Sequence, residues 1–491
     1  MKDPAHIAVG AEQFVKDNRD LLGVFHSPEA FGGPRIAQID LTNNCNNDCI
    51  ACWCHSPLLG EQRMRGSIKK QALPWEVVKH LIDDLADLGA DEIILAGSGE
   101  PLMYPNIMDL LQRIQRRGMR CNLITNFTRV DETFARMLVD LEVDTITASI
   151  WAGSARTYVK THPSKTEKTF HQIEQSLRQI HDQKTLLNRE HPKIKIVDVL
   201  MSLNVKDFEP MIEFALRTQS DAIDYTFVDI IAGKTDCLSL SENDYRFLAE
   251  ALNRVRQRED YTELFCLDLA GSNLAENHKR EFTYFGHLIR VPARFNFDFS
   301  RFRLICPQGH IADRFDVLHH SDAFDFKFNP QICGACADSR CGLNRSAAIK
   351  RVDTLNLTSC NALQRRVLAQ QNGFARRDSY DANIIETLPC YVGWIYSRIL
   401  VNGDVVPCCK AHRVVMGNVL DHRFRQIWFS DRQCEFRHKA LTYKKSHPFF
   451  RKIDCYKACD NFAMNLDVHR RLVDLSASEE QLLRQYRGDV L

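Results

Sequence analysis

The sequence predicts an α/β protein in which a partial, TIM-like (β/α)6 barrel precedes a small cysteine-rich α+β domain. In the first half of the 491-residue chain, short apolar runs alternate with segments of helical periodicity. No G-x-G-x-x-G follows the first apolar run, which argues against a dinucleotide-binding sheet. The cysteines cluster in three short parts of the chain, at 45–54, 306–341 and 390–459.

Six strands are predicted in the first half of the chain. Each is a short run rich in apolar and β-branched residues. Strands separated by helices pair in parallel through right-handed crossovers, and the active site of such a barrel lies at the C-terminal ends of its strands. The predicted strands are 35–42, 91–97, 120–126, 143–151, 193–204 and 222–231.

Helices are predicted between these strands. The first begins at Pro74 and stops at Gly89, with apolar residues at helical spacing between them. In the second half, Asn402-Gly403 is a hairpin signal between two short apolar runs. Further helices are predicted at 106–118, 131–141, around 170–180, from about 242, and at about 478–488.

Composition limits the class of protein. The formal net charge is +1, without the basic excess that nucleic-acid binding usually shows. No stretch is apolar enough to span a membrane, and the N-terminus has no signal-peptide core. We therefore expect a cytoplasmic protein with no nucleic-acid and no membrane partner. In a reducing compartment, the 18 cysteines favour metal binding or catalysis over disulfides.

The densest cysteine run directly follows the first predicted strand. Cys45, Cys49 and Cys52 have the spacing C-x3-C-x2-C. Three thiolates this close hold three corners of a cubane iron–sulfur cluster and leave one iron open to a small molecule. The alternative is a zinc site with Cys54 or His55 as the fourth ligand.

This pattern after a first barrel strand resembles the signature of the radical S-adenosylmethionine (SAM) enzymes. Ala51 stands where that family often has an aromatic residue, and Trp53 follows instead. "AGSGEPLMYP", after the second strand, is similar to the Gly-Gly-Glu-Pro motif of the family, with Ser98 in place of the first glycine.

The resemblance implies four residues that contact SAM. Gly99 and Glu100 belong to the motif at the amino group of SAM, and Asn126 lies in a Thr-Asn turn after the third strand. Ser149 matches a serine near the ribose, although Trp151 stands where an aspartate is common. No motif identifies a catalytic acid or base.

The second half resembles the SPASM domain of the same family, or its shorter twitch form. Cys390, Gly403 and Cys408 form C-x12-G-x4-C, and Cys455 and Cys459 follow at C-x3-C. These four cysteines would hold an auxiliary [4Fe–4S] cluster, with a structural zinc as the alternative. The hairpin places Cys408 on the returning strand, and its neighbour Cys409 on the other face.

A third cysteine set precedes this domain. It has the spacing C-x26-C-x2-C-x4-C, which suits a second auxiliary cluster or a structural zinc. The remaining isolated cysteines are expected to be buried small apolar residues. The four cysteines of the third set are Cys306, Cys333, Cys336 and Cys341.

The predicted organisation has five parts. The first 34 residues are too short for a separate leader-peptide-binding module, which slightly disfavours maturation of ribosomal peptides. The parts are an N-terminal extension (1–34), the radical SAM core barrel (35–231), an accessory region with the cysteine-rich segment 306–341 (232–389), the SPASM- or twitch-like domain (390–465) and a helical tail (466–491).

The resemblance implies a radical SAM oxidoreductase or maturase. A reductant such as flavodoxin or ferredoxin would reduce the cluster, and SAM would be cleaved to a 5′-deoxyadenosyl radical. That radical would abstract hydrogen from a peptide or a sugar-like small molecule, while the auxiliary cluster assists oxidation or binds the substrate. The alternative from another class is a non-catalytic zinc or iron–sulfur scaffold protein.

Overall fold

The computed structural model describes residues 4–257 and 388–486, except 446, 454 and 456–458, together with eight short strands between 265 and 351. The third cysteine set, Cys306, Cys333, Cys336 and Cys341, lies outside the described residues. Its predicted metal therefore stays a prediction. Within the described chain, no helix has the length and apolarity that crossing a membrane requires.

The six predicted strands form one parallel barrel sheet in sequence order, as expected. The observed strands are slightly shorter than the predicted ones. Their C-terminal ends lie at one rim, where the loops that follow them meet. The strands are β1 (Ile36–Asp40), β2 (Glu92–Ala96), β3 (Arg120–Thr125), β4 (Thr145–Ser149), β5 (Lys193–Leu200) and β6 (Ala222–Phe227).

Helices pack on the outside of this sheet through their apolar faces. In the helix after the first cysteine loop, for example, Val78, Leu81, Ile82 and Leu85 are all buried. The helices of this part are α1 (Pro4–Asp17), α2 (Arg19–Phe25), α3 (Gly66–Lys69), α4 (Trp75–Asp87), α5 (Ile107–Arg116), α6 (Glu132–Asp140), α7 (Ala155–Thr161), α8 (Glu167–Leu187), α9 (Phe208–Arg217) and α10 (Glu242–Gln257).

The C-terminal cysteine-rich domain extends the barrel sheet. Strand β15 (Tyr396–Ile399) pairs in parallel with β1, with Ile36 opposite Tyr396. Strands β16 (Asp404–Val406) and β17 (Gly417–Asn418) follow antiparallel, so that nine strands form one sheet. The edge of β1 is thereby covered, which removes an open edge of unpaired backbone groups.

The Asn402-Gly403 hairpin is observed between β15 and β16. Gly403 has a φ of 87°, a conformation that favours glycine. One detail of the prediction is wrong, because β16 ends at Val406 and Cys408 therefore follows the returning strand instead of lying on it. After Val406 the chain leaves the sheet through a bend and a turn that contain Cys408 and Cys409.

Six helices complete the described C-terminal part. The predicted domain boundary at 465/466 falls inside α15, because one continuous helix runs from Phe462 to Asp474. The predicted charged terminal helix is observed as α16. The helices are α11 (Val392–Ile395), α12 (Phe424–Trp428), α13 (Asp431–Thr442), α14 (Pro448–Arg451), α15 (Phe462–Asp474) and α16 (Ala477–Gln485).

Between the two parts, the described strands form two four-stranded antiparallel sheets. The order in one sheet is β11-β10-β14-β7, and in the other it is β12-β13-β9-β8. They are β7 (Phe265–Cys266), β8 (Thr283–Phe285), β9 (Leu288–Pro292), β10 (Phe302–Ile305), β11 (Ile311–Ala312), β12 (Phe315–His319), β13 (Ala323–Phe328) and β14 (Ala348–Arg351).

The N-terminal segment ties the C-terminal domain to the barrel. Trp394 donates its indole N–H to the carbonyl of Glu29 at 2.7 Å, and Trp428 donates to the carbonyl of Gly32 at 2.7 Å. Arg423 pairs with Asp84 on α4. These contacts hold the second group of cysteines at the rim of the barrel.

Candidate active site and metal centres

One cavity of about 430 Å³ lies at the C-terminal ends of the barrel strands. The loop that follows β1 forms one side of it, the ends of β2 to β6 form most of the rest, and Arg398, Lys410 and Asp460 of the C-terminal domain complete it. All seven residues that were predicted to bind the first cluster or SAM line this cavity: Cys45, Cys49, Cys52, Gly99, Glu100, Asn126 and Ser149.

Backbone amides in the cysteine loop point at the sulfurs. The amide of Asn47 donates to Cys45 Sγ at 3.4 Å, and the amides of Cys54 and His55 donate to Cys52 Sγ at 3.4 and 3.3 Å. Such N–H···S contacts stabilise a thiolate. Burial acts in the opposite direction and raises the pKa of Cys45 to about 11. Because burial disfavours the thiolates, we expect the thiols of the cysteine loop to ionise together only when they bind a metal.

The Gly-Ser-Gly-Glu turn is packed directly on the cysteine loop. A Cβ at Gly99 would lie 2.4 Å from the carbonyl oxygens of Thr42 and Asn44. The amide of the next residue, Glu100, donates to Asn44 O at 2.8 Å. Gly99 thus has a packing reason to be glycine, in addition to the SAM contact that the resemblance implies.

The carboxylate of Glu100 holds two strand ends together. It is 2% exposed and accepts from Thr125 Oγ1 at 2.6 Å, from the Asn126 amide at 2.8 Å and from the Leu102 amide at 3.0 Å. Burial raises the pKa of Glu100, and these three donors oppose that effect. The side chain braces the turn against β3, and its contact with SAM stays a prediction.

Asn126 and Ser149 occupy different positions on the cavity wall. Asn126 Nδ2 donates to Asn46 Oδ1 at 2.9 Å and lies 3.9 Å from Cys45 Sγ, so its amide already joins the cysteine loop. Ser149 is the last residue of β4. Trp151 shares this wall and has a φ of 60°, with its carbonyl held by Asn204 Nδ2 at 3.0 Å.

His55 connects the cysteine loop to the turn after β2. Its Nε2 lies 2.8 Å from the carbonyl oxygen of Ser98, so Nε2 carries the proton that it donates. Burial lowers the pKa of this imidazole, which favours the neutral ring. The geometry gives His55 a role that does not need a metal. That Cys54 and His55 leave the cluster unligated stays a prediction.

The four cysteines of the C-terminal pattern come together around a second cavity. Cys390, Cys408, Cys455 and Cys459 all line it. Burial, and then the neighbouring Cys390, raise the pKa of Cys459 to about 12. These thiols, like the first three, would ionise when they bind a metal.

Cys409 points away from that cavity. Its sulfur lies 3.0 Å from Tyr396 Oη and 3.7 Å from Gln38 Oε1, on the barrel side. The adjacent residues Cys408 and Cys409 thus have different neighbours, and only Cys408 lines the cavity of the C-terminal thiols.

Three charged residues that the sequence analysis did not identify lie between the two groups of thiols. Arg398 lines the first cavity and pairs with Asp40 at the end of β1. Lys410 lines both cavities, together with Asp460, and its Nζ lies 3.2 Å from Asp229 Oδ2. In the sequence, only the charged Asp40 at the end of the apolar strand β1 indicated that a charged partner would lie there.

The donor set fits iron–sulfur clusters. The three thiols of C-x3-C-x2-C line the first cavity and the four C-terminal thiols line the second, and cysteine thiolates are the ligands of such clusters. Among the described residues, the amide nitrogen of Asn47 is a buried donor in the cysteine loop without a hydrogen-bond partner. A sulfur-rich cluster supplies acceptors at such places.

Comparisons with known proteins place these two sites in one family. Residues 39–215 match the radical SAM superfamily, and residues 390–460 match SPASM, an iron–sulfur cluster-binding domain. A radical SAM domain binds a [4Fe–4S] cluster and SAM, and a SPASM domain binds auxiliary iron–sulfur clusters.

Curated relatives share part of the chain. The AdoMet-dependent heme synthase of Methanosarcina barkeri is 29% identical over 143 residues, which are 29% of this chain and 38% of that protein. The PqqA peptide cyclase of Granulibacter bethesdensis is 29% identical over 110 residues, which are 22% of this chain and 27% of that protein. The matches thus span less than half the length of these relatives.

Among solved structures, Streptococcus suis SuiB bound to the precursor peptide SuiA aligns with a TM-score of 0.48 at 12% identity. The alignment covers 100% of this chain and 81% of that one. From the two domain matches, the chain belongs to the radical SAM superfamily and carries a C-terminal SPASM domain.

Proposed function

We propose that this protein is a radical SAM oxidoreductase that abstracts hydrogen from a peptide or a small molecule. One observation carries the proposal. The three thiols of C-x3-C-x2-C and the Gly-Ser-Gly-Glu turn line one cavity, and the four C-terminal thiols line a neighbouring one. The cavities share Lys410 and Asp460 as a wall.

In this proposal, Cys45, Cys49 and Cys52 hold the catalytic [4Fe–4S] cluster. When bound there and reduced, the cluster would supply the one electron that cleaves SAM into methionine and a 5′-deoxyadenosyl radical. The turn at Gly99 keeps the loop in position, and Glu100 fixes the turn to β3. A reactive radical requires that water be excluded, and the strand ends form part of the wall that would do so.

The C-terminal thiols are proposed to hold an auxiliary [4Fe–4S] cluster. Cys390, Cys408, Cys455 and Cys459 leave no open coordination position on it. Its site lies behind Lys410, next to the cavity where the substrate would bind. That position suits an acceptor for the electron that a substrate radical loses on oxidation.

Peptide and small-molecule substrates have nearly equal support. One relative is named a heme synthase and another a peptide cyclase. A further cavity of about 370 Å³ adjoins the first through Trp53, Asp229 and Lys410. Each of the two cavities has the size of an ordinary ligand pocket, about 300–1,000 Å³, so their volumes favour neither substrate class.

The test is anaerobic reconstitution with iron and sulfide, followed by reduction in the presence of SAM. We expect 5′-deoxyadenosine, and we expect it to vanish in a Cys45→Ala, Cys49→Ala, Cys52→Ala triple variant. Cys237→Ser is the matched control, since Cys237 lines neither cysteine cavity. Cys237 is one of the isolated cysteines that were expected to be buried, and for it that expectation is wrong, because its side chain is exposed. Iron-loaded protein that forms no 5′-deoxyadenosine contradicts the proposal and favours a non-catalytic scaffold.

Iron and zinc analysis of the same samples counts the clusters. Two cubane clusters give about eight irons per chain, and three give about twelve. Zinc in addition to eight irons assigns a structural role to the cysteines at 306–341.

A further inference from the structure

Two buried polar side chains lie behind Cys49 without hydrogen-bond partners. Asn47 is 3% exposed and Tyr158 is 1% exposed. Neither amide atom of Asn47 nor the hydroxyl of Tyr158 completes a hydrogen bond within the described residues. A buried polar group that stays unpaired is destabilising, so two of them close to one cysteine indicate a hydrogen-bond network that forms there.

Backbone and side-chain contacts fix the helix that carries Tyr158 under the cysteine loop. The amide of Ile50 donates to the carbonyl of Thr161 at 2.8 Å, and the amide of Ser164 donates to Asp48 Oδ1 at 2.9 Å. Asp48 and Ile50 flank Cys49 on both sides. Helix α7 is therefore anchored at the cysteine that lies between them.

The ring of Tyr158 has little freedom to move. It stacks on His162 with a centroid distance of 4.2 Å and packs on Phe170 at 5.6 Å. The hydroxyl is held near Cys49 and Asn47. Burial, and then the Cys49 thiol, raise the pKa of Tyr158, whereas the Asn47 side chain lowers it. The same Asn47 side chain lowers the pKa of Cys49 against a larger effect of burial.

The chemistry of these groups favours an order of hydrogen bonds in which each donor meets a different acceptor. A thiolate only accepts, and the amide nitrogen is the only donor on an asparagine side chain. The amide oxygen of Asn47 is then left for the Tyr158 hydroxyl, which is a donor.

We propose that Tyr158 donates to Asn47 Oδ1 and that Asn47 Nδ2 donates to Cys49 Sγ, and that these two hydrogen bonds raise the reduction potential of the catalytic cluster. A donor to a cluster sulfur stabilises the added negative charge of the reduced state. Asn47 acts directly on the sulfur, and Tyr158 is a positioning residue that acts through Asn47. The proposal rests on the proposed function, because it requires Cys49 to be a cluster ligand.

The test is a redox titration of the reconstituted holoprotein, followed by electron paramagnetic resonance. The signal that changes on addition of SAM identifies the catalytic cluster among the clusters present. The variants are Asn47→Leu, Tyr158→Phe and their combination. Tyr225→Phe is the matched control, because it removes the hydroxyl of a buried tyrosine that packs on Phe208 instead of the cysteine loop.

At a fixed solution potential, we expect Asn47→Leu to lower the ratio of reduced to oxidised cluster about fivefold, as for the loss of one hydrogen bond of about 1 kcal/mol. This corresponds to about 40 mV for a one-electron couple. Tyr158→Phe is expected to lower the ratio about twofold. The double variant should match Asn47→Leu alone, since Tyr158 acts only through Asn47.

Three outcomes overturn the inference: unchanged potentials in both variants, additive effects in the double variant, or an equal shift in Tyr225→Phe. If Asn47→Leu loads no iron, Tyr158→Phe, which removes one atom, decides alone, and an unchanged potential there refutes the inference. A wild-type protein without any SAM-sensitive cluster instead refutes the proposed function.

Discussion

Arg398 on the C-terminal hairpin forms a two-point ion pair with Asp40 at the end of the first barrel strand. Nε and Nη2 of Arg398 donate to the two carboxylate oxygens at 3.1 and 2.7 Å. The Asp40 side chain is 1% exposed. Burial lowers the pKa of Arg398, but the Asp40 carboxylate outweighs it and raises that pKa above its ordinary value. The pair joins the SPASM domain to the radical SAM barrel at the cavity wall.

We expect Arg398→Met to destabilise the protein by about 3 kcal/mol, because it leaves a buried carboxylate without its partner. Asp40→Asn combined with Arg398→Met should recover part of that loss. Thermal unfolding of the purified protein measures both. Lys79→Met, which breaks an exposed pair with Glu76, is the control and should change stability by at most about 0.5 kcal/mol. If Arg398→Met and Lys79→Met changed stability equally, the Arg398–Asp40 pair would have no special stabilising role.

Gly99→Ala is expected to displace the cysteine loop. Its Cβ would lie 2.4 Å from two backbone oxygens of that loop, and backbone cannot move aside as a flexible side chain does. The reconstituted variant should lose about four irons per chain, equal to one cluster. Gly118→Asn is the control, since nothing lies within 4 Å of its Cβ and asparagine tolerates its φ of 72°. Full iron loading of Gly99→Ala would show that the loop adapts.

Cys408→Ser and Cys409→Ser should behave differently although the residues are adjacent. Cys408 lines the C-terminal cysteine cavity, and Cys409 contacts Tyr396 and Gln38. Cys408→Ser is therefore expected to lose the auxiliary cluster, which iron analysis and electron paramagnetic resonance would report. Cys409→Ser should keep it. If only Cys409→Ser lost the cluster, Cys409 and not Cys408 would be the ligand.

His162 is expected to make stability fall in mildly acidic solution. Burial lowers its pKa from 6.5 to about 4. The unfolded chain therefore binds a proton below pH 6.5 that the folded protein refuses until about pH 4. The contribution of His162 is fully present above pH 6.5, falls between pH 6.5 and 4, and amounts to about 3 kcal/mol in total.

His162→Phe tests this dependence while keeping an aromatic ring against Tyr158. The difference in unfolding free energy between the wild type and the variant should move in favour of the variant as the pH falls from 6.5 to 4. A difference that stays constant over this range would show that His162 does not titrate on unfolding.

The barrel and both groups of thiols were predictable because local sequence encodes them. Strand and helix periodicity located β1 to β6, and the close spacing of Cys45, Cys49 and Cys52 limited their ligand geometry. The helix α7 was not predicted, since its seven residues offer too short a periodic pattern. The position of Cys408 beyond β16 was missed because a hairpin signal does not fix where the returning strand ends.

The sequence by itself determined the family, the thiols available to each metal site and the order of the barrel strands, because spacing and periodicity act over a few residues. Only the tertiary structure decided that β15 pairs with β1, that Arg398 meets Asp40 across 358 positions, and that Tyr158 lies under Cys49. These contacts depend on packing between distant segments. No local pattern records which distant side chain will fill a given space, so the residues that tune and join the two sites emerge only after folding.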